Sequence, residues 1–442
     1  MSTNNYWLKN GLINILQNGL TVVIAIVSLY LLLRITNTED YGTWVLFLSV
    51  VSIIEVSRNG LTQEAIVKFL STANQEEQKD ITTAALFINF LMTVIISIVL
   101  LAIAPWLGEI WKSDQLSHMI SLYIVIFFIS GVLNLLNCVE QANLHFTGVF
   151  YSNICRQLLF LTYISFCYFT QRQASLKILT YVQILSVLFA LAIAAFHTAK
   201  YFRYAKKLNF IWVKKLFHFG KYSFGVSLSA ILASSIDQMM LGNLISKSAS
   251  ASFNIAVRIT NLTDIPTNAM ATIMFPQSAI KANTGGKDAI KYLYEKSVGV
   301  VLALLIPAIV LMYLLSDFTI HLLAGNKYEN VIPLLKVTLL YCFFAPYGRQ
   351  CGTILTSDGR TKFNFYMVIV FAVSIITFNY IFIKQFGIIG AAYGTLLSTI
   401  ISFVVSQIYL NKLYNINALN PLIYAYKFYG EFYHKYIKKT AA

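Results

Sequence analysis

Residues 363–383 read FNFYMVIVFAVSIITFNYIFI and residues 385–411 read QFGIIGAAYGTLLSTIISFVVSQIYLN, with one lysine, Lys384, between them. Neither run contains a charged side chain. As a helix, each is long enough to cross about 30 Å of hydrocarbon. A soluble chain could not carry such stretches, so lipid is their solvent. Working outward, 10–33 and 81–108 are of the same kind. Barrel strands would alternate lipid-facing and lumen-facing residues over about ten positions, whereas these runs are continuous and about twice that length. The fold class is therefore an all-α polytopic membrane protein.

Composition agrees. Of 442 residues, 57% are hydrophobic and 12% charged, and the mean hydropathy is +0.67, well outside the values of soluble domains. Twelve spans are predicted: 10–33, 42–65, 81–105, 117–139, 150–170, 177–198, 221–243, 251–275, 296–316, 331–353, 363–383 and 387–411. The first eight residues lack the basic start of a signal peptide, and the run that follows is too long for a signal segment, so it is expected to remain as the first helix. Five cysteines in or beside apolar spans, an odd number without CxxC spacing, argue against a disulfide framework or a metal site.

The connecting loops alternate between basic and nearly uncharged. One side holds twenty-one Lys and Arg, including Lys68, Lys79, the run from Lys200 to Lys221, Lys287, Arg360 and the tail; the other holds seven, among them Lys112, Lys247 and Lys327. The positive-inside rule places both termini in the cytoplasm. This charge pattern also accounts for the net charge of +15 without nucleic acid, for which no motif is present. Residues 201–219 alternate bulky apolar and basic side chains, which predicts an amphipathic helix on the inner leaflet.

Sliding the chain by 209 residues lays Gly11 on Gly220, Tyr41–Trp44 on Ser250–Phe253, Glu55 on Asp264 and Asn59 on Asn268. Two parallel six-helix repeats follow. The expected organisation is a first bundle over 1–199, an amphipathic connection over 200–220, a second bundle over 221–411 and a basic cytoplasmic tail over 412–442.

With that order of elements the chain resembles the polysaccharide transporter branch of the multidrug/oligosaccharidyl-lipid/polysaccharide exporters, the O-antigen and capsular repeat-unit flippases. The resemblance rests on Asp40-Tyr41-Gly42, Asn59-Gly60-Leu61 before Ala65 and Lys68, and Asp237 with Leu241 and Gly242. It continues through Phe253, Ala256, Pro276, and the series Gly387, Gly390, Ala391, Gly394. A departure is that the family commonly has Gly then Tyr where this chain has Ala251 and Phe253. The resemblance implies translocation of undecaprenyl-pyrophosphate-linked oligosaccharide across the inner membrane by alternating access, with polysaccharide polymerase and chain-length proteins as possible partners.

An ionised side chain near the bilayer centre costs roughly 2.5–3.5 kcal/mol on insertion scales, so charges within spans need a partner or a wet cavity. Arg58, Arg156, Arg258 and Arg349 are the candidates for pyrophosphate, because guanidinium forks bind phosphate oxygens in pairs. Glu55, Asp237 and Asp264 are the candidates for coupling to H+ or Na+, and Glu55 can pair with Arg58 one turn away. No cofactor or metal is expected. Among rival classes, a cation-drug antiporter would favour an acidic lumen. A membrane glycan ligase or polymerase would carry a substantial outer loop, whereas the largest here is about 316–330. The Gly285-Gly286 pair has no P-loop around it.

Overall fold

The computed structural model describes residues 3–143, 145–284 and 286–432. The last ten residues, with the tail lysines Lys435, Lys438 and Lys439, and Gly285 of the Gly-Gly pair lie outside the described residues. Among those described, every regular element is helical. In chain order the helices are α1 (Thr3–Ile35), α2 (Thr38–Thr72), α3 (Gln75–Ile110), α4 (Asp114–Ala142), α5 (Thr147–Phe169), α6 (Leu176–Thr198), α7 (Phe210–Leu244) and α8 (Lys247–Thr260). There follow α9 (Asp264–Thr284), α10 (Gly286–Leu314), α11 (Ser316–Leu323), α12 (Val331–Cys342), α13 (Ala345–Ser357), α14 (Thr361–Phe386), α15 (Ile388–Tyr414) and α16 (Asn420–Phe432).

Length and apolarity single out eight candidate spans among the described residues: α2, α3, α4, α6, α10, α12 with α13, α14 and α15. The other four predicted spans fall on α1, α5, α7 and the pair α8–α9. Two of the twelve predicted spans are broken helices. The span predicted at 251–275 is interrupted by a 3-10 turn at Asn261–Thr263; Pro266 has no N–H to bond back to Leu262, and Thr263 Oγ1 donates to the Thr260 carbonyl at 2.7 Å. The span predicted at 331–353 breaks at Phe343 and Phe344, where Pro346 removes the bond to the Cys342 carbonyl.

Helix starts follow local capping. Asn74 and Glu77 form a reciprocal capping box on α3. Asn37 Oδ1 accepts from Asp40 N at 2.7 Å at the start of α2, and Ser246 Oγ accepts from Ala249 N at 3.1 Å at the start of α8. These caps stand at equivalent positions of the 209-residue offset, as do the ends of α1 and α7 at Ile35 and Leu244. The turn between α14 and α15 is Gly387 at φ 65°, ψ −140°, a conformation that a side chain would strain.

By contacts the chain forms two compact units, Met1–Ser235 and Ile236–Ala442. In the first, α4 packs against α2, α3 and α6, and α5 lies against α1 and α6, around a core that includes Leu61, Ala65, Ile81, Ile88, Leu135 and Leu216. The N-terminal half of α7 belongs here, since a Cβ on Gly220 would collide with the Leu61 carbonyl of α2. In the second, α10 packs against α9, α13 and α16, α12 against α8 and α15, and α14 against α15, around Tyr294, Val298, Leu302, Tyr347, Ile354 and Leu410.

The predicted amphipathic helix over 201–219 begins only at Phe210. Tyr201 and Phe202 still bond back to the Thr198 carbonyl, after which other groups hold the segment: Ala205 N donates to Thr83 Oγ1 at 2.8 Å, and the Asn209 side chain donates to Asp80 at 2.7 Å. The predicted tail, in turn, contains α16, which Glu295 holds through Asn417 N and Asn420 Nδ2, both at 2.9 Å.

The inner face of α3 combines Ile81, Ile88 and Leu100 with many small and polar residues, Thr82, Ala84, Ala85, Asn89, Thr93, Ser97, Ala104 and Gly108, while Phe90, Ile98, Leu101 and Trp106 are exposed. Small residues at the packed face with bulky apolar ones outside is an arrangement of helices packed within lipid.

Candidate functional site

In the first unit the functional candidates gather where α2 meets α4. Arg58 is 0% exposed, and its guanidinium is committed to the protein itself. One terminal nitrogen donates to the Phe127 carbonyl, the other to Ser130 Oγ at 3.1 Å, and Nε donates to Asn59 Oδ1 at 3.2 Å. The group also lies 4.2 Å from the centre of the Phe127 ring. The Glu55–Arg58 ion pair permitted by their spacing does not form. Glu55 Oε1 instead accepts from Tyr123 Oη at 2.6 Å, because Arg58 turns toward the α4 backbone. Arg156, on α5, is half-buried, within electrostatic reach of Tyr123, and makes no hydrogen bond among the described residues.

In the second unit Arg258 of α8 is half-buried; its Nε donates to Asn254 Oδ1 at 2.8 Å, and Asn254 Nδ2 donates to Gln238 Oε1 at 3.0 Å. Arg349 of α13 and Asp264 at the start of α9 are both exposed and within electrostatic reach of each other. Asp237 of α7 is 5% exposed. One carboxylate oxygen accepts from Asn379 Nδ2 of α14 and the other from Thr395 Oγ1 of α15 at 3.1 Å. The amide oxygen of Asn379 is buried without a partner, and Gly394 allows Asn379 its approach to α15. Asp237 is thus a buried carboxylate held by two neutral donors and, among the described residues, by no cation.

A cavity of about 550 Å³ opens between α2 and the middle of α7, lined by Val56, Asn59, Gly60, Gln63, Glu64, Ser227, Ala230, Ile231 and Ser234. A second, of about 460 Å³ and mainly apolar, lies between α5 and α6. Near its end His197 stacks on Tyr151, with centroids 5.8 Å apart, and His145 stacks on Tyr201 at 4.9 Å. Sequence reasoning missed Tyr123, Asn379 and Thr395 as partners, and none of the seven charged candidates lines the larger cavity. Asn379 had a signal, an amide deep in the apolar run 363–383; the others are ordinary residues until the helices are brought together.

A family model described as polysaccharide biosynthesis protein matches residues 31–333. A probable low-salt glycan biosynthesis flippase of Haloferax volcanii is 25% identical over 215 residues, which are 48% of this chain and 45% of that relative; the match thus covers less than half of that protein. Among solved structures, a multidrug resistance MATE family transporter of the MOP superfamily, in an inward-facing conformation, aligns with TM-score 0.75 and 16% identity over 90% of this chain and 96% of its own. The lipid II flippase MurJ, inward closed, aligns with TM-score 0.72 and 15% identity over 96% of this chain and 100% of its own. At such identities these structures speak for the fold alone. The family match covers more than half the chain, and with it the protein belongs to the polysaccharide biosynthesis protein family, on the fold of the MOP-superfamily transporters.

Proposed function

We propose that the chain is a flippase that carries undecaprenyl-pyrophosphate-linked oligosaccharide repeat units across the bacterial inner membrane by alternating access, for O-antigen, capsule or exopolysaccharide synthesis, with both termini in the cytoplasm. It is a carrier with no catalytic step of its own. The family match over residues 31–333 is the observation that carries this reading. Arg156 supports it from the geometry: a guanidinium at span depth with no committed donor offers a fork to phosphate oxygens.

Roles then divide among the candidates. Arg156, Arg258 and Arg349 take the pyrophosphate, while Arg58, fully buried and bonded to α4, positions the helix and the neighbouring Asn59. Of the three carboxylates proposed for ion coupling, Asp237 has the strongest geometric support. A buried carboxylate without a cation partner either holds a proton or takes a hard cation such as Na+, and Asn379 and Thr395 supply neutral oxygens of the kind such ions prefer. The test is deletion of the gene followed by analysis of lipid-linked glycans on each leaflet. A lipid-linked oligosaccharide should accumulate on the inner leaflet and clear when the gene is restored; an unchanged profile would refute the proposal.

A further inference from the structure

The cavity between α2 and α7 is not used by any of the roles above. The geometry points to it as a subsite for the neutral, hydroxyl-bearing sugars of the substrate, separate from the arginines proposed for the pyrophosphate; this rests on the flippase reading. Its volume of about 550 Å³ falls within the roughly 300–1,000 Å³ of small-ligand sites.

Placement is the first argument. Val56, Asn59, Gly60, Gln63 and Glu64 recur at three- and four-residue spacing and so share one face of α2, and Ser227, Ala230, Ile231 and Ser234 do the same on α7. Gln63 is exposed and its amide has no hydrogen-bond partner among the described residues. With Asn59 on the same face, its amide makes the α2 wall of the cavity polar. Gly60 keeps the two helices close, since a Cβ there would stand 3.2 Å from Ser227 Cβ.

Chemistry is the second. Carboxamides and hydroxyls both donate and accept, which suits the alternating donors and acceptors of a sugar face. A phosphate site would call for Arg or Lys, and among the described residues none lines this cavity. Asn59 is also pre-oriented. Its Oδ1 accepts from buried Arg58 at 3.2 Å, which leaves its Nδ2 donors for the cavity.

The test compares two probes in proteoliposomes: lipid-linked oligosaccharide extracted from the source cells, and a polyprenyl diphosphate bearing a single N-acetylhexosamine. Wild type should move the first at least about tenfold faster. Gln63→Ala with Ser227→Ala should remove that advantage, about tenfold in all for the hydrogen bonds lost to the sugar, and leave the single-sugar rate unchanged. Gln63→Leu, which keeps the bulk and deletes the amide, serves if the double variant is poorly produced. The subsite is refuted, with the flippase reading intact, if wild type moves both probes equally, if the variants keep the advantage, or if the variants slow both probes alike. Wild type that moves neither probe would refute the flippase reading itself.

Discussion

Arg58 and Arg156 carry the same side chain at similar depth, yet the structure gives them opposite situations. From sequence alone both were arginines in a span, because the partners that separate them, Phe127 and Ser130, lie about seventy residues away on another helix. Arg58→Ala removes the guanidinium's bonds to the Phe127 carbonyl, Ser130 Oγ and Asn59 Oδ1 and leaves its buried volume unfilled, at a cost on the order of 3 kcal/mol. A lowered thermal midpoint and less protein in the membrane are the expected results. Arg156→Ala, by contrast, should leave the thermal midpoint of the purified protein unchanged and impair translocation, and Arg156→Lys should already slow it, since an ammonium has no fork. At Asp237 the expected effect concerns coupling. Asp237→Asn retains size and can keep both contacts, with its oxygen accepting from Asn379 and its NH2 donating to the Thr395 hydroxyl, but not the charge, so translocation in proteoliposomes should lose its response to an imposed proton or sodium gradient. A wild-type rate indifferent to both gradients would remove the coupling role.

At the scale of the element, most of the helices were legible because an apolar run bounded by polar caps dictates them. The 209-residue offset foretold that α2 and α8 would start alike, and Asn37 and Ser246 cap them at matching positions. The breaks were not read from the same pattern, although Pro266 and Pro346 stood in plain view: apolar periodicity continues across a proline, while the backbone bond does not. Residues 201–209 carry the same amphipathic pattern as the helix that follows, and that pattern does not reveal that Thr83 and Asp80 claim the segment. Helix approach offers its own test. Gly220→Val would drive α7 off α2 at the Leu61 carbonyl, and the expected outcome is a lowered thermal midpoint, whereas Gly19→Val, with open space around it, should be neutral.

For the molecule as a whole, the class was written in the long uncharged apolar runs, and the exposed apolar faces of α3 agree with lipid as the surrounding medium; the charge of the loops carries the proposed orientation. The site was less legible, because cavities and buried polar clusters are made by residues far apart in the chain. Cysteines introduced at Lys112, Lys247 and Lys327 should react with an impermeant reagent from outside, and those at Lys79, Lys207 and Lys287 only after the membrane is opened; reversal at any adjacent pair would overturn the orientation. The most direct measurement of the central claim uses the purified protein in liposomes loaded with lipid-linked oligosaccharide on the inner leaflet. The glycan should become accessible to an impermeant sugar-modifying reagent far faster than in protein-free vesicles, and equal rates with and without the protein would contradict the account.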